Sequence, residues 1–390
     1  MTNKRLSKPL SKSFTAFFNS EKASGLVLIV CTVVSMLLAN SPAGPAYLKV
    51  LHSHLGSLSI EHWINDGLMA IFFLHIGLEL ERELYNGELS NLKQALLPVL
   101  AAVGGICLPA LIHFALNAGT ATQAGMGIPM ATDIAFAIGV LALLGSRVPA
   151  SLKVFLTALA VIDDLGAIII IAVFYTAQLS IAYLAGAISM FCLLLALNRF
   201  FRVTSIVPYL VGGVVLWFLM LKSGVHATIA GVLLAFTIPF SAKEDDEKSP
   251  SHRLEHWLNR PVTFLILPIF ALANTGITIN ADSIQYLASA NSVGVILGLV
   301  VGKPLGITLV SFLAVVSGLC ALPLDLNWRH IIGAGLLGGI GFTMSVFITN
   351  LAFVGNVEAI NTSKLAIVLA SLTAGVVGCL WLRLFSKANP

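Results

Sequence analysis

Apolar residues along the chain fall into long runs separated by short clusters of charge. One run lies between Lys22 and Lys49, and a second spans about Trp63 to Leu78, with Asp66 near its edge. Between Lys93 and Arg147 the only charge is Asp133; between Lys153 and Arg199 the only charges are Asp163 and Asp164. Each of these two stretches can hold two helices of the roughly 20 residues that cross a bilayer. Shorter runs follow at Val203–Leu221, Ser223–Ala242, Pro261–Ala281, Ile284–Val315, Ile331–Val354 and Leu365–Leu382. The pattern predicts an all-α polytopic membrane protein of about twelve transmembrane helices, a single domain over residues 1–390. Residues 1–22 read as a polar tail, 46–61 as a loop able to form a hairpin around Gly56 and Ser57, and 241–260 as one long charged loop.

Composition agrees with this reading. Hydrophobic residues make up 57% and charged residues 10%, against about 45–50% and about 25% in soluble domains. A water-soluble enzyme is excluded. A net charge of only +4 leaves no footprint for nucleic acid. The five cysteines lack metal-ligand spacing, so neither disulfides nor zinc is expected, and no cofactor. No small-residue cleavage site follows the first apolar run, which reads as a retained helix. Placing both tails and every even-numbered loop on one side collects 18 of the 22 lysines and arginines there. The excess of positive charge on cytoplasmic loops therefore predicts that both termini are cytoplasmic.

Ionisable groups at bilayer depth cost at least about 2.5–3.5 kcal/mol each, which makes them functional candidates. Asp133, Asp163, Asp164 and Lys303 qualify. Asp133 lies between Pro129 and Gly139, and Lys303 is followed by Pro304, which frees a backbone carbonyl. Asp133 could equally be a structural partner for a helix end, and Lys303 half of a structural ion pair. Adjacent Asp163 and Asp164 point about 100° apart on a helix, so one can pair while the other faces a cavity. Gly298, Gly302 and Gly306 read as a close-packing ridge. They do not form a nucleotide loop, because Pro304 stands where that motif needs Ser or Thr.

Two segments look broken alike. Gly127, Pro129 and Thr132 interrupt one, while Gly335, Gly338, Gly339 and Gly341 interrupt the other. Paired interruptions in the two halves of a chain point to an inverted-repeat transporter. Asp133 would suit the positive ends of half-helices and Lys303 the carbonyl ends. Carboxylates, with Thr132 as an auxiliary ligand, are the oxygen donors that a small hard cation prefers. Two such carboxylates titrate as a unit, so sodium and protons would compete for them.

The strings Ala131–Phe136 (ATDIAF), Val161–Gly166 (VIDDLG), Lys222–Thr228 (KSGVHAT), Gly302–Gly306 (GKPLG) and Gly339–Ser345 (GIGFTMS) resemble those of the bacterial NhaA sodium/proton antiporters. They occur in the same order over about Glu21 to Arg383. The resemblance implies crossed interrupted helices four and eleven, the inner membrane of a bacterium, and electrogenic exchange of two protons for one sodium or lithium ion. It assigns transient cation and proton binding to Asp163 and Asp164, pairing of Lys303 with Asp163, and balancing of helix ends to Asp133 with Lys303. Lys303 is also a candidate proton carrier. The resemblance further implies a homodimer held by a hairpin in the first external loop, and pH regulation at the cytoplasmic mouth. Glu79, Glu83, His252, Arg253, Glu255 and His256 are the candidate sensors there, with His226 secondary. A plain solvated loop is the alternative at both places. The acidic run Glu244–Glu247 departs from the family's more basic loop.

Other classes fit less well. An intramembrane aspartyl protease needs separated aspartates, a channel needs no titratable pair, and a symporter for an organic solute needs aromatic or bidentate recognition groups.

Overall fold

The computed structural model describes residues 21–87, 89–176, 179–241, 249–279 and 285–386. The tail before Glu21, the acidic run Glu244–Glu247, Lys243, Lys248 and Lys387 lie outside the described residues. The chain begins with α1 (Glu21–Ala39), α2 (Gly44–His52) and a hairpin of β1 (His54–Leu55) and β2 (Leu58–Ser59). Then come α3 (Ile60–Tyr85), α4 (Leu92–Asn117), a 3₁₀ stretch Gln123–Met130 running into α5 (Ile134–Leu143), and α6 (Ala150–Phe174). The second half holds α7 (Ile181–Arg199), α8 (Ile206–Ser223), α9 (Ile229–Ala235), α10 (Pro250–Asn274) and α11 (Ala290–Val316). It ends with α12 (Trp328–Gly338), α13 (Phe342–Ala352) and α14 (Val357–Phe385).

Among the described residues, nine helices are long and apolar enough to cross a bilayer. The number is 11 if the bent pairs α1–α2 and α12–α13 each count as one span. The chain is therefore an all-helical polytopic membrane protein, as its pattern predicts. The eighth expected span, Ser223–Ala242, contains among its described residues only the seven of α9, flanked by turns. Its apolar content reflects burial among neighbours: Ala230, Val232, Leu234 and Ala235 are all buried. Gly231 packs on the backbone of Ala70 and Leu74 in α3, where a Cβ would come 2.8 Å from the Leu74 nitrogen.

Two expected loops are partly helical. Residues 250–260 of the charged loop form the first turns of α10, opened by Ser249, whose hydroxyl accepts from the His252 N–H, with Pro250 at the first helical position. That pair is a strong helix start, masked in the hydropathy pattern by the charges that follow. Residues 46–52 belong to α2, which turns by 111° from α1, and α3 starts at Ile60. The hairpin itself is confined to His54–Ser59, with His54 opposite Ser59 and Leu55 opposite Leu58, and Gly56 at φ 71° in its turn.

Helices α3 and α10 run antiparallel. Arg82 meets Glu255 at one end and Asn65 meets Asn274 at the other, about 26 Å apart at 1.5 Å per residue. The first is called here the basic end, since Lys153 and Arg260 also lie there; the second is the hairpin end. Between them Phe347 of α13 packs on Phe73 of α3 and Phe270 of α10, with ring centres 5.4 and 6.4 Å apart.

The glycine ridge of α11 lies on α4. A Cβ on Gly306 would stand 2.7 Å from the carbonyl carbon of Gly104, and one on Gly302 3.0 Å from the Cα of Pro109. This contact fixes Lys303, which sits between them. Overpacking costs about 1–3 kcal/mol where neighbours can yield, and more against backbone. Gly306→Val is expected to lower the thermal unfolding midpoint of the detergent-solubilised protein sharply. Gly186→Ala, whose Cβ would meet Leu219 at an ordinary 3.4 Å, should leave that midpoint nearly unchanged.

Candidate functional site: paired carboxylates between two broken helices

A helix that stops inside a bilayer leaves unsatisfied N–H or C=O groups, and here two helices stop side by side. The 3₁₀ stretch, with Pro129 in its last turn, ends at Met130 and leaves Ala131–Asp133 unwound; Gly339–Gly341 separate α12 from α13. The breaks touch. The Asp133 N–H donates to the Ile340 carbonyl at 2.7 Å, and the Ser345 hydroxyl donates to the Ile128 carbonyl at 2.7 Å.

Asp133 caps both half-helices that start here. One oxygen accepts from the Phe136 N–H of α5 at 3.0 Å. The other accepts from the N–H of Thr343 in α13 at 3.0 Å and from its hydroxyl at 2.5 Å. Negative charge belongs at helix N-termini. The half-helices that end here are met by donors. The Lys303 ammonium donates to the Met130 carbonyl, and the Thr132 hydroxyl lies 2.9 Å from the Gly338 carbonyl. Lys303 and Asp133 thus serve opposite helix ends and form no ion pair with each other.

Lys303 is fully buried and pairs with Asp163, Nζ to Oδ2 at 2.6 Å. The same oxygen lies 2.7 Å from the Thr132 hydroxyl. A five-residue π-type turn, Gly298–Gly302, immediately precedes Lys303, whose N–H donates to the Gly298 carbonyl; Pro304, next in the chain, has no N–H to give. Asp163 Oδ1 and Asp164 Oδ1 are buried and have no hydrogen-bond partner among the described residues.

Asp164 points elsewhere. With Asp133 and Thr343 it lines the inner end of a cavity of about 600 Å³, whose outer wall carries exposed Lys153, His256 and Arg260. Glu79 lines the passage between. The adjacent carboxylates are thereby divided, Asp163 to the lysine and Asp164 to the cavity.

The residues expected at the mouth are only partly gathered. Arg82 binds Glu255 at 2.8 Å and Glu83 at 2.9 Å, with Glu79 at 3.9 Å. His252 bonds the Ser249 hydroxyl at 2.6 Å and stacks on Phe240, while His256 reaches the cavity wall. Arg253 is exposed and faces a separate shallow pocket with Phe240 and Ser249. His226 lies far from this mouth, bonded to the Tyr175 carbonyl at 2.8 Å.

The profile of the Na+/H+ antiporter 1 family matches residues 15–382. The chain belongs to this family. It is 69% identical to the Na(+)/H(+) antiporter NhaA of Dechloromonas aromatica, with 97% of each chain covered. It is 58% identical to the Na(+)/H(+) antiporter NhaA 1 of Flavobacterium johnsoniae, over 97% of this chain and 99% of that one. Identity to the Na(+)/H(+) antiporter NhaA of Shewanella loihica is 50%, with 98% of each covered. Family membership makes the chain a transporter and not an enzyme.

Charge alone did not reveal Thr343 and Ser345, which are uncharged, or the Met130 carbonyl, which no side-chain pattern marks. His75 did leave a signal, as a lone histidine in the apolar run of α3. It lines the cavity, and its Nε2 is buried without a partner among the described residues.

Asp133 holds two helix ends and Thr343 supplies two of its bonds. A hydrogen bond to a charged group is worth about 1.5–3 kcal/mol, so Thr343→Val should destabilise by about that amount. Asp133→Ala, which uncaps both helices, should cost more. Thermal unfolding of the two purified variants in one detergent checks the order.

Proposed function

We propose that the chain is an electrogenic antiporter of a bacterial inner membrane, with both termini cytoplasmic, exporting one sodium ion for two entering protons. Sodium/proton exchange is the activity of the family to which it belongs. What supports the site assignment is the division of the two carboxylates: Asp163 is held by Lys303, while Asp164 offers an unpartnered oxygen at the end of a cavity.

A sodium ion arriving through the basic mouth passes Glu79 and meets oxygen ligands of the kind it prefers. Asp164 takes it directly, the unpartnered Oδ1 of Asp163 lies on the next residue, and Thr132 is the auxiliary donor. Protons compete for the same oxygens, because the pair titrates as a unit. High proton activity therefore expels sodium, and high sodium expels protons. Exchanging two protons for one sodium changes the charge of the site by one per cycle, whichever of Asp163 and Lys303 holds the second proton. The membrane potential then contributes about 2.3 kcal/mol per 100 mV to each turnover. Lithium, the same charge with a smaller radius, is a substrate on the same grounds.

Three further assignments accompany this reading. The cluster of Glu79, Glu83, Arg82 and Glu255, with His252, Arg253 and His256 beside Glu255 in α10, senses pH at the cytoplasmic mouth; His226 does so secondarily from the opposite end. The hairpin at His54–Ser59, which presents exposed Leu55, joins two copies into a homodimer.

Asp164→Asn removes the charge and the titratable oxygen at nearly constant volume. In everted vesicles it is expected to abolish sodium- and lithium-driven proton movement while inserting normally; near-normal exchange in this variant rules the mechanism out. Regulation is tested separately. Glu255→Gln should shift the midpoint of the activity–pH profile and leave the maximal rate unchanged, whereas a profile superimposable on wild type assigns the pH response to the aspartates alone.

A further inference from the structure

The cavity runs along a seam. One wall is α3 and α10, which contribute Glu79 and His256; the other is α5, α6 and α13, which contribute Asp133, Asp164 and Thr343. Toward the hairpin end the same seam is shut, first by the rings of Phe73, Phe270 and Phe347. Beyond them lies a polar cluster that crosses it. Asn274 of α10 donates from Nδ2 to Asn65 Oδ1 of α3 at 2.7 Å and to the Phe270 carbonyl at 3.0 Å. Its Oδ1 accepts from Asn350 Nδ2 of α13 at 2.6 Å, and Lys364 Nζ of α14 stands 3.5 Å away. Asn274 and Lys364 are both buried, 1% and 5% exposed.

Both donors and the acceptor of the Asn274 amide are thus engaged, and its acceptor is bridged from the opposite wall. The spacing along α13 is regular. Thr343 and Met344 face the cavity, Phe347 the aromatic layer and Asn350 the polar cluster. A route from Asp164 to the hairpin end along this seam must part Asn350 and Lys364 from Asn274. Until water replaces them, buried polar groups left without partners are costly.

We propose that Asn274, Asn350 and Lys364 form a latch that holds the hairpin end of the transport path closed, so that its strength sets how often the carboxylates face outward. The proposal rests on the exchange reading above. Breaking the latch raises the outward-facing population without touching the cation ligands. Apparent affinity scales with the fraction of molecules in the competent state. For a protein resting inward-facing, the effect appears almost wholly on the outer face.

Asn350→Ala removes one seam-crossing bond from a half-buried position and leaves the Asn274 acceptor to Lys364. The measurement is the KM for sodium in right-side-out and in everted vesicles. Wild type must exchange in both; if it does not, the exchange reading fails, and the latch with it. The expected result for Asn350→Ala is a fall of about three- to tenfold in the outer-face KM, the equivalent of one buried hydrogen bond, with the inner-face KM unchanged or higher. Lys364→Met, which keeps the bulk and removes the donor, should move the two constants in the same opposed sense. Should Asn350→Ala insert poorly, Lys364→Met decides alone. Unchanged constants, or equal shifts on both faces, in variants that still exchange overturn the latch while leaving the antiporter reading intact.

Discussion

Ending four half-helices in the middle of a bilayer is possible only because each end meets its own counter-charge or donor. The Asp133 carboxylate answers two N-termini, Lys303 answers the Met130 carbonyl and Thr132 answers the Gly338 carbonyl. Unpaired backbone groups at that depth would each cost several kcal/mol. Everything at the site follows from this arrangement. Lys303 can be buried because it has a carbonyl and a carboxylate to bind, and Asp163 is held because Lys303 is there. Asp164, one residue on, is turned toward the cavity by helical geometry alone.

The same constraint explains the packing behind the site. Lys303 must reach across to Met130, so α11 has to lie close to the 3₁₀ stretch as well as to α4; Gly298 allows the approach to Pro129, and Gly302 and Gly306 the approach to α4. The π-type turn before Lys303 rotates the helix locally and accommodates Pro304. Backbone, glycine ridge and ion pair form one device; a change in any of them moves the ammonium away from both of its acceptors.

Much of this was legible in the sequence. Long uncharged runs located most spans, and the isolated Asp133, Asp163, Asp164 and Lys303 stood out because charge is so rare in them. The glycines around 339 marked the second break. Partners were less legible: the carbonyl of Met130 and the hydroxyl of Thr343 carry no charge, and their roles arise from contacts between segments some 170 to 210 residues apart. Hydropathy also failed where local and tertiary signals disagree. α9 is apolar because it is surrounded by protein, and α10 begins in charged sequence because Ser249 and Pro250 start a helix whatever its hydropathy. α2 was hidden in the same way, its residues 46–52 being read as part of a loop.

The aromatic layer has an electrical consequence. From Thr343 at the inner end of the cavity to Asn350 is seven residues, about 10 Å along α13, against a hydrocarbon thickness of about 30 Å. A cavity wide enough for water conducts, so little of the transmembrane voltage falls along it. The voltage falls instead over the closed layers that begin with Phe73, Phe270 and Phe347 and continue through the Asn274 cluster. An ion that reaches the inner end of the cavity has therefore crossed little of the voltage, and its electrical work is done on passing those layers.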